Sequence, residues 1–271
     1  MDWGALVQIT LGLYQKAAKE LVEKISRTWW IGLLPLLYAP VFLLVASFAG
    51  QLGMIGGFIV GFLLAVLVGS YLYFIDGAVS GKRMRPDELL DSWRPYFNST
   101  LTILFFLFII RFMIGMLSAP GTGTQIPWFI MAVVLPILLS PVPEIIYQGQ
   151  SEGFGMVQES VDFLRDSGLE WFIPLFGISF VFSLVSPVSL AEIFPAVAFP
   201  LSIPVTSPQM GYVTFSVLSL FGLGNLGLLS LVLASIMNGY LLFGLMLFRG
   251  LLFRELGRGS RRQRLFRARL E

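Results

Sequence analysis

The chain has 271 residues, 56% hydrophobic and only 13% charged, with a net charge of +2 and a mean hydropathy of +0.82. Soluble domains carry about 25% charged residues, so an ordinary soluble domain is excluded, and no alternating strands of ~10 residues point to a β-barrel. Cysteine and histidine are both absent, which removes disulfides, thiolate ligands, Ser-His hydrolysis, His-dependent phosphatases, haem ligation by His and HExxH zinc sites.

The first residues, MDWGALVQIT, lack a basic region and a small-residue cleavage pattern, so no cleavable signal peptide is expected. Residues 5–28 read as an amphipathic interfacial helix that ends at Trp29, on the membrane edge. Two apolar runs follow, 29–50 and 53–75, each close to the ~20 residues that cross a hydrocarbon core. A second interfacial helix is expected over 86–97. Pro86 stands at its start, Asp87 and Glu88 lie in its first turn, and Leu89, Leu90, Trp93 and Phe97 share one face. The runs 99–118 and 127–147 form the next pair. In the latter, PILLSPVPEII carries Pro136, Pro141 and Pro143, each removing a backbone donor, so a kink or an unwound stretch is expected. A third interfacial helix, 155–168, places Val157, Val161 and Leu164 opposite Glu159, Asp162 and Asp166. It precedes a span at 171–190. Residues 187–225 form an outer segment with five prolines and only Glu192 charged, expected to lie on the outer surface or dip back as a re-entrant segment. The last span covers 226–248, and residues 249–271 form an arginine-rich tail.

Lysine and arginine cluster at 16–27, 82–94 and 249–269, while the turns at 50–53, 118–127 and 187–225 contain none. By the positive-inside rule the basic segments are cytoplasmic, as are both termini. The predicted architecture is all-α: a polytopic membrane protein with six transmembrane helices in three hairpins. Each hairpin follows a cytoplasmic interfacial amphipathic helix, and residues 1–248 make a single domain.

Small residues recur every fourth position at Gly53, Gly57, Gly61, Ala65 and Gly69. Glycine costs ~1 kcal/mol relative to alanine in a helix, so the row predicts a groove where another helix approaches closely. Packing within one subunit is the simpler reading, and a dimer interface is the other. Ser230, Ala234 and Asn238 offer a matching row in the last span. Four polar residues stand in or at the ends of spans: Arg111, Glu144, Glu192 and Asp76. Arg111 invites a functional reading by default, against a structural clamp with Glu192, which is the preferred expectation. Glu144 and Asp76 occupy comparable inner ends of two spans and either line a cytoplasmic cavity or are ordinary interfacial acids. Of the tail arginines, Arg249, Arg254, Arg258, Arg261, Arg262 and Arg264 are expected to meet anionic lipid headgroups, with Arg267 and Arg269 following.

The elbows at 86–98 and 155–170 and the glycines of the second span resemble, in layout, bacterial six-span families: the YciC-like proteins and the membrane domain of glycerophosphodiester phosphodiesterases. The resemblance implies paired spans separated by cytoplasmic elbows in a bacterial inner membrane. It transfers no functional residue.

No catalytic residue, cofactor or metal is expected. Aspartyl chemistry needs two facing aspartates, and SGKR at 80–83 is not a phosphate loop. The function expected is a non-catalytic membrane scaffold or assembly partner acting through packed helices and a basic cytoplasmic face. The expected partners are the bilayer, anionic lipids included, and another membrane protein, with no nucleic acid. The alternative is a permease, or a component of one, for a small hydrophobic or lipid-like solute.

Overall fold

A computed structural model describes residues 3–117, 129–149, 151–186, 188–202 and 228–257, with scattered positions between 214 and 223. The described residues are helical, with turns between. The helices are α1 (Trp3–Arg27), α2 (Leu34–Ala49), α3 (Met54–Ser80), α4 (Phe97–Leu117), α5 (Leu135–Leu138), α6 (Val142–Gln148), α7 (Gly155–Val185), α8 (Leu190–Ala198) and α9 (Leu228–Gly257). Five segments are long and apolar enough to cross a membrane: Trp29–Leu52, Ile55–Ser80, Phe97–Met116, Gly155–Val185 and Leu229–Gly257. The chain is a membrane protein by this measure.

Helix α9 is the axis. It packs against α1, the turn Trp29–Leu33, α2, α3, α6 and α7, and Leu242, Phe243, Leu247, Leu251 and Leu252 on it are wholly buried. One crossing explains how it comes so close to its neighbours. A Cβ on Gly239 would collide with the Gly32 carbonyl oxygen, and one on Gly32 would stand 2.7 Å from the Tyr240 ring. Only paired glycines permit that backbone approach. Further along, a Cβ on Gly250 would stand 2.5 Å from the Tyr147 hydroxyl and 2.7 Å from Val79.

Charged groups gather at one end of the bundle. Helix α1 runs antiparallel to the last turns of α9, since Lys16 pairs with Glu255 at 3.0 Å while Ile25 lies beside Gly244. The C-terminus of α3 sits there too. Gly81, at φ 75°, turns the chain, with its N–H on the Ala78 carbonyl and the Lys82 N–H on that of Gly77, a Schellman-type ending. Lys24 Nζ adds bonds to the Ala78 and Val79 carbonyls at 3.1 and 2.9 Å, and Arg254 Nη1 a further one to Val79 at 2.9 Å. Burial, and next the Arg254 charge, pull the Lys24 ammonium below its ordinary pKa. At the opposite end the turn from α2 into α3, residues 50–53, carries no charge.

Three expectations on element boundaries need correcting. Residues 155–168 are not a separate interfacial helix. They are the first half of α7, whose 31 residues measure about 46 Å at 1.5 Å per residue. The elbow at 86–97 is a short 3₁₀ turn, Pro86–Leu90, followed by tight turns rather than an α-helix. The segment expected to span 127–147 is interrupted: a π-turn over Ile130–Val134, then α5, then a turn at 139–141, then α6. The break falls among the three prolines that predict it. Pro141 and Pro143 cannot donate, so Ser140 N–H takes the Ile137 carbonyl and Val142 N–H that of Leu139. The Leu138 and Ser140 carbonyls are left for partners outside the segment.

Candidate functional site: a buried arginine at two helix ends

Those freed carbonyls locate the most polar point of the interior. The Ser160 hydroxyl donates to the Leu138 carbonyl, and Arg249 Nη2 donates to that of Ser140. Arg249 lies on α9 with its side chain 0% exposed, and so does its counter-ion Glu144 in the first turn of α6. The pair is bidentate: Nε to Oε1 at 2.8 Å and Nη2 to Oε2 at 2.9 Å. Nη1 donates twice, at 2.7 Å each, to the carbonyls of Val197 and Ala198. Guanidinium has five N–H donors, and all five are used.

Helix α8 brings those last two carbonyls. After α7 ends, the chain turns back, and Ser189 and Glu192 form a capping box that starts α8. Phe194 then packs against both Phe172 and Phe176 of α7, so α8 returns alongside α7 and ends at the level of Trp171. A helix C-terminus carries partial negative charge on its unpaired carbonyls, and Arg249 supplies the opposing cation. Trp171 closes the group. Its ring lies 4.9 Å from the Arg249 guanidinium carbon, and its indole N–H donates to Ser140 Oγ at 2.9 Å. The Ser140 hydroxyl in turn donates to the Ala198 carbonyl at 2.6 Å. An isolated charge here would be very costly; a forked pair with every donor satisfied is sustainable.

The residues singled out from sequence are distributed as follows. Glu144 is in this centre. Arg249, expected at the lipid headgroups, is its buried cation. Arg254 is also spent inside the fold, on Glu20 at 2.6 Å and on the Val79 carbonyl. Arg258, Arg261, Arg262 and Arg264 lie outside the described residues. The expected Arg111–Glu192 clamp is absent among the described residues: Arg111 is exposed on α4, and Glu192 accepts from the Ser189 N–H of its own cap. Asp76 accepts from Tyr96 at 3.0 Å and Ser80 at 3.1 Å at the charged end. Burial, and next the Asp76 charge, push the Tyr96 hydroxyl well above its ordinary pKa.

The small-residue row divides. Ala65 is buried, and Gly69 would place a Cβ 3.3 Å from the Trp93 carbonyl. At Gly53, Gly57 and Gly61 no described residue stands within 4 Å of the place a side chain would occupy. Ser230 and Ala234 are buried, while Asn238 is half-buried with its side-chain oxygen unpartnered among the described residues.

The pair of Arg249 and Glu144 was missed in the sequence because a span was ended at Phe248. GLLF follows Arg249 directly, and that apolar continuation is the signal that the arginine lies inside a helix. No family model, no curated protein and no solved structure matches the chain.

Proposed function

We propose that the protein is a non-catalytic scaffold or assembly partner of a bacterial inner membrane, with its charged end and both termini in the cytoplasm. The positive-inside distribution supports that orientation. In this reading the interrupted segment 129–148 is a sixth crossing, its loose carbonyls satisfied by neighbouring helices as the bilayer requires.

One observation carries the scaffold reading. Every donor of the buried Arg249 is taken by the fold's own acceptors, so the polar centre serves cohesion and leaves binding to the outer faces. The half-row Gly53, Gly57 and Gly61 is open, and small residues in such a row allow close helix approach. The basic tail supplies a second surface, toward anionic lipid. Replacing Gly57 or Gly61 by Leu should leave thermal stability in detergent unchanged and reduce the size of the assembly that native electrophoresis resolves from gently solubilised membranes. Unchanged assembly size in both variants would refute the scaffold reading.

A permease for a hydrophobic or lipid-like solute is the second reading. It is favoured by the meeting of the interrupted α5/α6 segment with the C-terminal end of α8, since transporters build sites from broken helices. Flux of a fluorescent phospholipid across proteoliposomes, lost on Arg249→Met, is the result it requires.

A further inference from the structure

Arg111 has no counter-charge among the described residues. It lies 14 residues beyond Phe97 and 6 before Leu117 on α4, about 21 Å from the charged end and about 9 Å from the bare end of the helix. Its side chain is exposed among Phe108, Phe112, Met113 and Met116, which are exposed too. Among the described helices α4 packs chiefly on α3, and the exposed face that carries Arg111 is turned to lipid.

The chain cannot supply the missing anion from its own acids. None of its 16 acidic residues lies between Glu23 and Asp76, between Asp91 and Glu144, or between Glu192 and Glu255. Among the described residues the one carboxylate near the bare end is Glu192, which caps its own helix. A cation within snorkelling distance of the interface, with no protein carboxylate to meet it, is matched by the phosphates of the bilayer surface. One turn beyond Arg111 on the same face stands Gly115, with no described residue within 4 Å of the place a side chain would occupy.

We propose that Arg111 and the gap over Gly115 form a docking site for the phosphodiester of an anionic phospholipid in the leaflet at the bare end. The guanidinium makes charge-assisted hydrogen bonds to the phosphate oxygens, the acyl chains lie along the Phe108–Phe112 ladder, whose rings are 6.3 Å apart, and the missing side chain at Gly115 lets the headgroup descend. This site is independent of the arginines after Gly257, which the proposed orientation assigns to the cytoplasmic face.

The test is native mass spectrometry of the full chain released from detergent doped with phosphatidylglycerol or phosphatidylcholine. Wild type should retain one more phosphatidylglycerol than Arg111→Gln, and Arg111→Lys should keep most of that difference. Gly115→Leu, which meets no neighbour and leaves the charge in place, should lower retention at least threefold. Equal phosphatidylglycerol retention by wild type, Arg111→Gln and Gly115→Leu would overturn the proposal. So would equal retention of the two lipids by wild type, or an Arg111→Gln effect on oligomer mass alone, which would assign the anion to a partner's carboxylate.

Discussion

Arg249 and Glu144 are unequal partners, although they are 0% exposed alike. Neutralising Glu144 leaves a buried cation that still holds three carbonyls. Removing Arg249 strands the carboxylate and also the carbonyls of Ser140 and Val197, one from the interrupted segment and one from the end of α8, while the Ala198 carbonyl keeps the Ser140 hydroxyl. Breaking a buried pair on one side costs ~3–5 kcal/mol, and the orphaned carbonyls add to the arginine's side. Arg249→Met should therefore destabilise more than Glu144→Gln in thermal unfolding in detergent. Arg249→Lys should fall between wild type and Met, because one ammonium cannot span the fork and the α8 carbonyls together. The Glu144→Gln/Arg249→Met double variant should lose less than the sum of the single losses, the coupling expected of contacting residues. Equal losses for Arg249→Met and Glu144→Gln would remove the helix-end carbonyls from the account.

At the scale of elements, glycine acts in two opposite ways. At Gly239 the backbone of α9 touches that of Gly32, and a single methyl group would fall on a carbonyl oxygen. Gly239→Ala should cost ~1–3 kcal/mol by overpacking, read as a lower melting temperature. The sequence made the glycine row of α3 the conspicuous feature, and half of that row meets none of the described residues. Spacing reports that a helix face is flat; it does not report which helix, if any, lies on it. Chain breaks were more legible, because proline acts locally: the interruption at 139–141 falls among Pro136, Pro141 and Pro143, as their missing donors require. The elbows were less legible. An amphipathic stripe describes a helix lying on a membrane and equally the first turns of a long helix packed on neighbours, and α7 is of the second kind, with Met156, Ser160 and Ser167 buried. Residue-level legibility follows the same division. Glu144 stood out as an acid near a broken helix, whereas its partner Arg249 lies 105 positions away and looked like the first of eight tail arginines.

For the whole molecule, the described residues place the exposed ion pairs and lysine bonds at one end and a closed polar knot where the interrupted segment meets the end of α8. The Lys16–Glu255 and Arg254–Glu20 pairs that hold α1 are partly exposed, where such pairs contribute about 0–1 kcal/mol each. Cohesion therefore rests on the apolar contacts of α9 and on the knot. If the knot is closed, its surroundings are dry, and the chain's lack of cysteine permits a clean test. Val197→Cys introduces a slightly smaller side chain at a position that is 0% exposed, beside Arg249, and Ser80→Cys is an exposed control at the charged end. With both membrane faces open to a water-soluble maleimide, the account predicts rapid labelling of Ser80→Cys and labelling of Val197→Cys at least tenfold slower. Comparable rates would mean that water reaches the centre, contradicting a closed structural knot and favouring a passage through the bundle.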